Sequence, residues 1–214
     1  AKNEAKAESV MKAFISKYPK EASVGAGDLL ELYETQGADA KLVKYYLEDR
    51  AQRGVSYAQY LSDTLKIAEI QGARNGRLPL NTMEEALKIS QKFHKDLMQS
   101  KLGIEQSSKV LFWFASQKEQ VFYKIKLALP QRNLEINLKR KLALLKELEN
   151  EFSHIAKLGG GEWGLGAIYK TASAFRTLAQ DISQAPVPAE LSGEQLEQYR
   201  TEIKRQMVIP FTEK

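Results

Sequence analysis

The chain contains no cysteine among its 214 residues. That excludes disulfides, zinc–thiolate centres and thiol catalysis, and leaves the compartment open. Proline is scarce, with 6 copies, and few stretches alternate apolar and polar residues, so extensive sheet is not expected. There are only 2 histidines, His94 and His154. The longest unbroken apolar run covers 110–115, far short of the roughly 20 residues a membrane-spanning helix needs. Neither a signal peptide nor a low-complexity segment is visible. What the chain does have is 43% hydrophobic residues, enough for a core, and 28% charged residues to face water.

The apolar residues recur at steps of three and four, the spacing of one helical face. A helix over 5–18 places Val10, Met11, Phe14, Ile15 and Tyr18 inward and ends at Tyr18-Pro19. Gly25 and Gly27 read as a loop, and Asp28 as the cap of a short helix that stops near Gly37. Asp39 caps the next helix, up to Gly54, and Ser56 caps a longer one carrying Leu61, Leu65 and Ile70. Gly72, Gly76 and Pro79 form a break. Asn81-Thr82-Met83-Glu84 has the form of a capping box, opening a helix that ends before Gly103. An aromatic-rich helix over 106–129, with Phe112, Trp113, Phe114, Phe122 and Tyr123, stops at Pro130. Asn133 caps a long helix that ends at glycines 159–161.

The segment 159–210 reads as a helical hairpin. After Gly161, residues Trp163, Leu165, Ile168, Tyr169, Phe175, Leu178 and Ile182 fall on one face, interleaved with small residues that let another helix approach. Pro186 and Pro188 close that helix. Ser192-Gly193-Glu194-Gln195 has the form of a second capping box, followed by a stripe of Leu196, Tyr199, Ile203 and Met207 that stops at Pro210. Leu165-Gly166, with Tyr169 three positions beyond the glycine, resembles the front half of a tetratricopeptide repeat. Tyr18-Pro19 is similar to the end of that repeat's second helix. Glu162 stands where the family has Trp, and Leu178 where it has its first Ala. The wider pattern over about the last fifty residues resembles long-helix hairpins of tetratricopeptide proteins in delta-proteobacterial cell-envelope machinery, such as gliding-motility complexes. The final residues, FTEK, resemble the first turn of another helix, and the chain starts at Ala1. The expectation is a segment of a longer protein.

Candidate chemistry is sparse. Glu151 and His154 have the Glu-x-x-His spacing of a di-iron ligand pair, but a bundle site needs a second such pair and two more glutamates. Gln91 stands three residues before the other histidine, so the set is incomplete. Ser9 and Lys12 have the Ser-x-x-Lys spacing of penicillin-binding serine enzymes, without their other motifs. Glycines 159–161 are followed by no Lys-Ser/Thr and preceded by no strand, so they terminate a helix rather than cradle a phosphate.

The basic stretch 109–146 stands out. It holds nine basic side chains against two acidic ones, a surplus of seven where the whole chain has a net +5. Lys118, Tyr123, Lys124, Arg132 and Arg140 are its candidate partner-binding residues. Three readings fit: a footprint for nucleic acid or anionic lipid, a dock for an acidic protein segment, or a solvated helix face beside core aromatics.

The expected fold is all-α: antiparallel helical hairpins, shorter over 1–75 and longer over 81–214, continuous with each other. A degenerate tetratricopeptide-like α-solenoid fits, although no regular period of about 34 residues is present. A globular helical bundle fits as well. The resemblance implies a non-enzymatic protein–protein interaction scaffold within a larger bacterial complex of the cell envelope or periplasm. It implies no catalytic residue, cofactor or metal. The alternatives are a basic module binding nucleic acid or an anionic surface through 109–146, and a helical accessory domain of an enzyme.

Overall fold

The structure, a computed structural model, describes residues 2–52, 55–73, 76–187 and 191–209. Gly54, Pro188, Pro210 and the final 211–214, all read above as punctuation or helix starts, lie outside the described residues, as does the side chain of Met207. Among the described residues there is no strand: ten α-helices and one π-helical turn account for the regular structure. Within each of the two units described below, helices adjacent in sequence pack on one another. The chain divides into two compact units, Ala1–Leu97 and Met98–Lys214.

In the first unit, α1 (Lys2–Lys17) stops where Pro19 biases Tyr18 away from helical geometry. The following helix, α2 (Ala22–Thr35), absorbs Gly25, Gly27 and Asp28, which were expected as loop and cap. Gly25 is a contact device here. A Cβ added to it would come within 2.8 Å of Phe14 Cδ1 and 3.0 Å of Ile15 Cγ1 on α1. Gly37, at φ +59, then terminates α2 as expected. Helix α3 (Asp39–Gln52) begins one residue earlier than an Asp39 cap requires, because the carbonyl of Ala38 accepts the amides of Lys41 and Leu42. Asp39 instead lies in the first turn, where the helix dipole favours its charge. Leu29, Tyr33 and Leu42 are buried together, with Met11 and Ile15 packed on them. Val10, Phe14 and Tyr18, expected inward, are exposed.

Helix α4 (Tyr57–Ala73) is capped as read, with Ser56 Oγ accepting the Gln59 amide at 3.2 Å. Helix α5 (Leu80–Lys92) corrects the first capping box. Pro79, extended at φ −65 and ψ 125, holds the cap position, so Asn81 lies inside the helix and no side chain caps it. A proline is well suited there, since the amide it lacks would go unused. The helix does not run on to Gly103 but breaks at Phe93 (φ −109, ψ 25), leaving α6 (His94–Leu97) as a single turn. Phe93 is stacked on Tyr57 with ring centroids 3.7 Å apart.

In the second unit, α7 (Lys101–Lys124) starts ahead of its expected place because Ser100 Oγ accepts the Gly103 amide at 3.0 Å. It ends at Lys124, and Pro130 caps α8 (Gln131–Leu158) instead of closing α7. Asn133 is therefore inside α8, its amide donating to the Pro130 carbonyl at 2.8 Å. Gly159, left-handed at φ 73, ends α8 as expected. Gly160 rests on α7 so closely that a Cβ there would lie 2.4 Å from Ser108 Cβ. Helix α9 (Glu162–Ser183) follows, then α10 (Gly193–Ile203) and a π-helical turn over Lys204–Val208. Ser192 holds the α10 cap position in extended geometry, but its side chain makes no cap bond. Helices α7, α8 and α9 each contact the other two, around a core that includes Phe122, Leu148, Phe152, Ile155 and Leu178.

Candidate functional site

The basic stretch is reorganised by the core register. On α8, positions 134, 138, 141, 145, 148, 152 and 155 form a seam with alternating steps of four and three, the spacing of a buried helical face. Lys141 occupies one of these positions and is 0% exposed. Its ammonium donates to the Ile125 carbonyl at 3.1 Å, pairs with Asp181 of α9, and lies 4.5 Å from the centre of the Phe122 ring. Glu119 is its counterpart on α7, 1% exposed. It accepts from Tyr123 Oη at 2.9 Å and pairs with Lys170 of α9. Each ion is held by a partner and a further polar contact, as a buried charge requires.

Of the five candidate partner residues, two are engaged by other side chains of this unit. Lys118 pairs with Glu147 at 3.0 Å and with Glu151, both on α8. Burial pulls its pKa down, but the hydrogen bonds it donates to Glu151 and Glu147 outweigh that and hold it above the ordinary lysine value. Tyr123 is half-buried. Desolvation, and then its bond to Glu119, raise its pKa above the ordinary tyrosine value. The remaining three, Lys124, Arg132 and Arg140, are exposed. Arg132 and Arg140 share α8 about 12 Å apart along its axis, with exposed Ile136 between them. The structure thus separates the five into an interhelical lock and a smaller exposed cationic face. Sequence reasoning passed over Glu119, Lys141, Lys170 and Asp181. The signal was there: two charged residues at core-register positions, each demanding a partner.

Helix α9 carries an exposed apolar stripe. Its buried side is lined by Gly164, Ala167, Ala174, Phe175 and Leu178. Leu165, Ile168 and Tyr169, expected on that same inward face, point outward at 72%, 59% and 74% exposure. Exposed Ala172 extends them along the helix, with Glu162 and Arg176 exposed at the two ends. Gly166, between them and the core, takes the Phe112 ring of α7 at 3.1 Å from where a Cβ would stand. A helix apolar on two sides is ordinarily covered on both.

The other motifs acquire ordinary partners. Glu151 is engaged by Lys118, and His154 is exposed. Lys12 pairs with Glu8 at 2.7 Å rather than with Ser9. Among the described residues, no three His, Asp or Glu side chains converge as metal ligands, and no helix is long and apolar enough to cross a membrane. No known protein family, curated protein or solved structure matches the chain.

Proposed function

We propose that the chain is a non-enzymatic protein–protein interaction scaffold whose docking face is the outer stripe of α9. The observation that carries this reading is the exposure of Leu165, Ile168 and Tyr169 at helical spacing on a helix whose opposite side is already packed. Apolar anchors at such spacing are what one amphipathic helix offers another. The hairpins are read as units of a degenerate tetratricopeptide-like solenoid, supported by the Leu165-Gly166…Tyr169 resemblance and by the packing of sequence-adjacent helices within each unit. The partner is then a helical segment of another protein in a larger bacterial complex, and the cell envelope is the setting the resemblance implies. Its apolar face covers the stripe, and an acidic side chain near one end meets Arg176.

The test is co-purification of the tagged full-length protein from its own cells, with and without nuclease. Three forms are compared: wild type, Leu165→Ser/Tyr169→Ser, and Lys124→Glu/Arg132→Glu/Arg140→Glu. The scaffold reading expects a defined protein set that survives nuclease, persists with the charge-reversed form and is lost with the stripe form. Capture that vanishes with nuclease and with charge reversal, but not with the stripe substitutions, would replace it by the exposed cationic face of α7 and α8 as a nucleic-acid surface.

A further inference from the structure

In the second unit, α10 stands apart from the other helices. None of its residues is fully buried, yet Leu196, Tyr199 and Ile203 on its inner side are half-buried. Between this inner side and the paired ends of α8 and α9 lies a cleft of about 610 Å³. That is within the roughly 300–1,000 Å³ of small-molecule sites.

The lining of the cleft is selective in two ways. Its walls are branched aliphatic side chains, with Leu134 and Leu138 one turn apart on α8, Leu127 before them, and Ile182, Ile203 and Val208 opposite. Tyr199 is the one aromatic ring among the lining residues. Such walls suit a flexible hydrocarbon chain better than a flat ring. The ionic groups at the cleft are Arg200 and Lys204, both cationic and both exposed. Arg200 has a 3.4 Å pair with Glu197 three residues away, exposed on both sides and therefore weak and exchangeable. Lys204 has no anionic partner among the described residues. An apolar trough with two cations at its edge complements a molecule with an apolar tail and one anionic head.

We propose that this cleft binds one free long-chain carboxylate, with the tail between α8 and α10 and the head at Arg200 and Lys204. The binding is non-covalent. It is a second activity, separate from the α9 docking face, and stands or falls independently of it.

The test is calorimetric titration of the full chain with sodium octanoate, decanoate and dodecanoate below their micelle concentrations. 1-Dodecanol and dodecyltrimethylammonium serve as neutral and cationic controls. The expected result is one equivalent bound, with affinity rising roughly fourfold per methylene and dodecanoate ahead of both controls. Arg200→Glu/Lys204→Glu is expected to weaken dodecanoate at least tenfold and leave dodecanol unchanged. Both side chains are exposed, so the fold is retained, and a far-UV circular dichroism spectrum checks this. Three results overturn the proposal: no saturable binding of any carboxylate, several equivalents with no dependence on tail length, or dodecyltrimethylammonium binding as tightly as dodecanoate. The series on the unaltered chain decides the matter even if the double substitution fails to fold.

Discussion

Glu119 is buried on α7 in the second unit, and its charge is tolerated there because Lys170 and Tyr123 both donate to it. Glu119→Ala leaves the Lys170 ammonium and the Tyr123 hydroxyl without their acceptor, and a loss of about 3–5 kcal/mol is expected in urea unfolding. Glu119→Leu combined with Lys170→Met removes both ions and should recover most of that loss. Single and double effects that simply add would show the two residues to be uncoupled. A second lock sits in the first unit. Glu8 accepts from Lys12, Lys41 and Tyr33 at 2.7, 2.6 and 2.9 Å, tying α1 to α2 and α3. Hydrogen bonds, from Lys12 first and then Lys41, lower its pKa from 4.5 to about 2. Because the folded value lies below the unfolded one, the resulting stability is complete above about pH 4.5 and is lost as pH falls through about 2. Both lysines are half-exposed, so its size is on the order of 1 kcal/mol. In Glu8→Gln, the fall in melting temperature between pH 5 and pH 2.5 should be smaller than in wild type, and an identical profile would remove Glu8 from the acid response. The two locks differ in how legible they were. Lys141 and Glu119 stand in the core register of their own helices, so their burial could be read from spacing. The Glu8 cluster joins three helices, and nothing in the local sequence of any one of them announces the others.

The two sides of α9 should respond differently to substitution. Leu165→Ser/Tyr169→Ser alters exposed side chains and is expected to shift stability by no more than about 0.5 kcal/mol per residue while abolishing partner capture. Leu178→Ala, on the buried side, should cost about 2–5 kcal/mol. A stripe substitution as damaging as Leu178→Ala would mean that those residues are structural after all. The turn before α9 is equally constrained. Gly160→Ala places a methyl against Ser108, whose own Cβ is fixed to the backbone and cannot rotate away. Overpacking of about 1–3 kcal/mol is expected, seen as a lowered melting temperature. These helix ends show why punctuation was only partly legible. Gly37, Ser56 and glycines 159–161 act through their own backbone or side chain, so the residue alone identifies the end. Gly25, Asn81 and Asn133 depend on where the helix starts, and Pro79, Pro130 and the approach of α1 to α2 decide that.

For the molecule as a whole, a helical period sustained throughout made the all-α class readable from end to end. The division between units was not. The glycine and proline punctuation at 72–80 lies within the first unit, whereas the division after Leu97 falls in a stretch, 93–100, without either residue. There the helix is broken by tertiary and capping contacts: Phe93 stacked on Tyr57, and Ser100 opening α7. Each unit also has a buried cluster of its own. Leu29, Tyr33 and Leu42 cluster in the first; Leu148, Phe152 and Leu178 cluster in the second. Since 98–214 holds a core of its own, that segment expressed alone should be helical and unfold cooperatively in urea. In the full chain, Leu148→Ala should then cost the second unit about 2–5 kcal/mol. Amide exchange should accelerate across α7–α9 and stay unchanged at Leu61, Leu65 and Met83 in the first unit, because opening of one core does not require opening of the other. Uniform acceleration over both units would instead mean a single cooperative fold, and 98–214 alone would then lack the stability its own core implies.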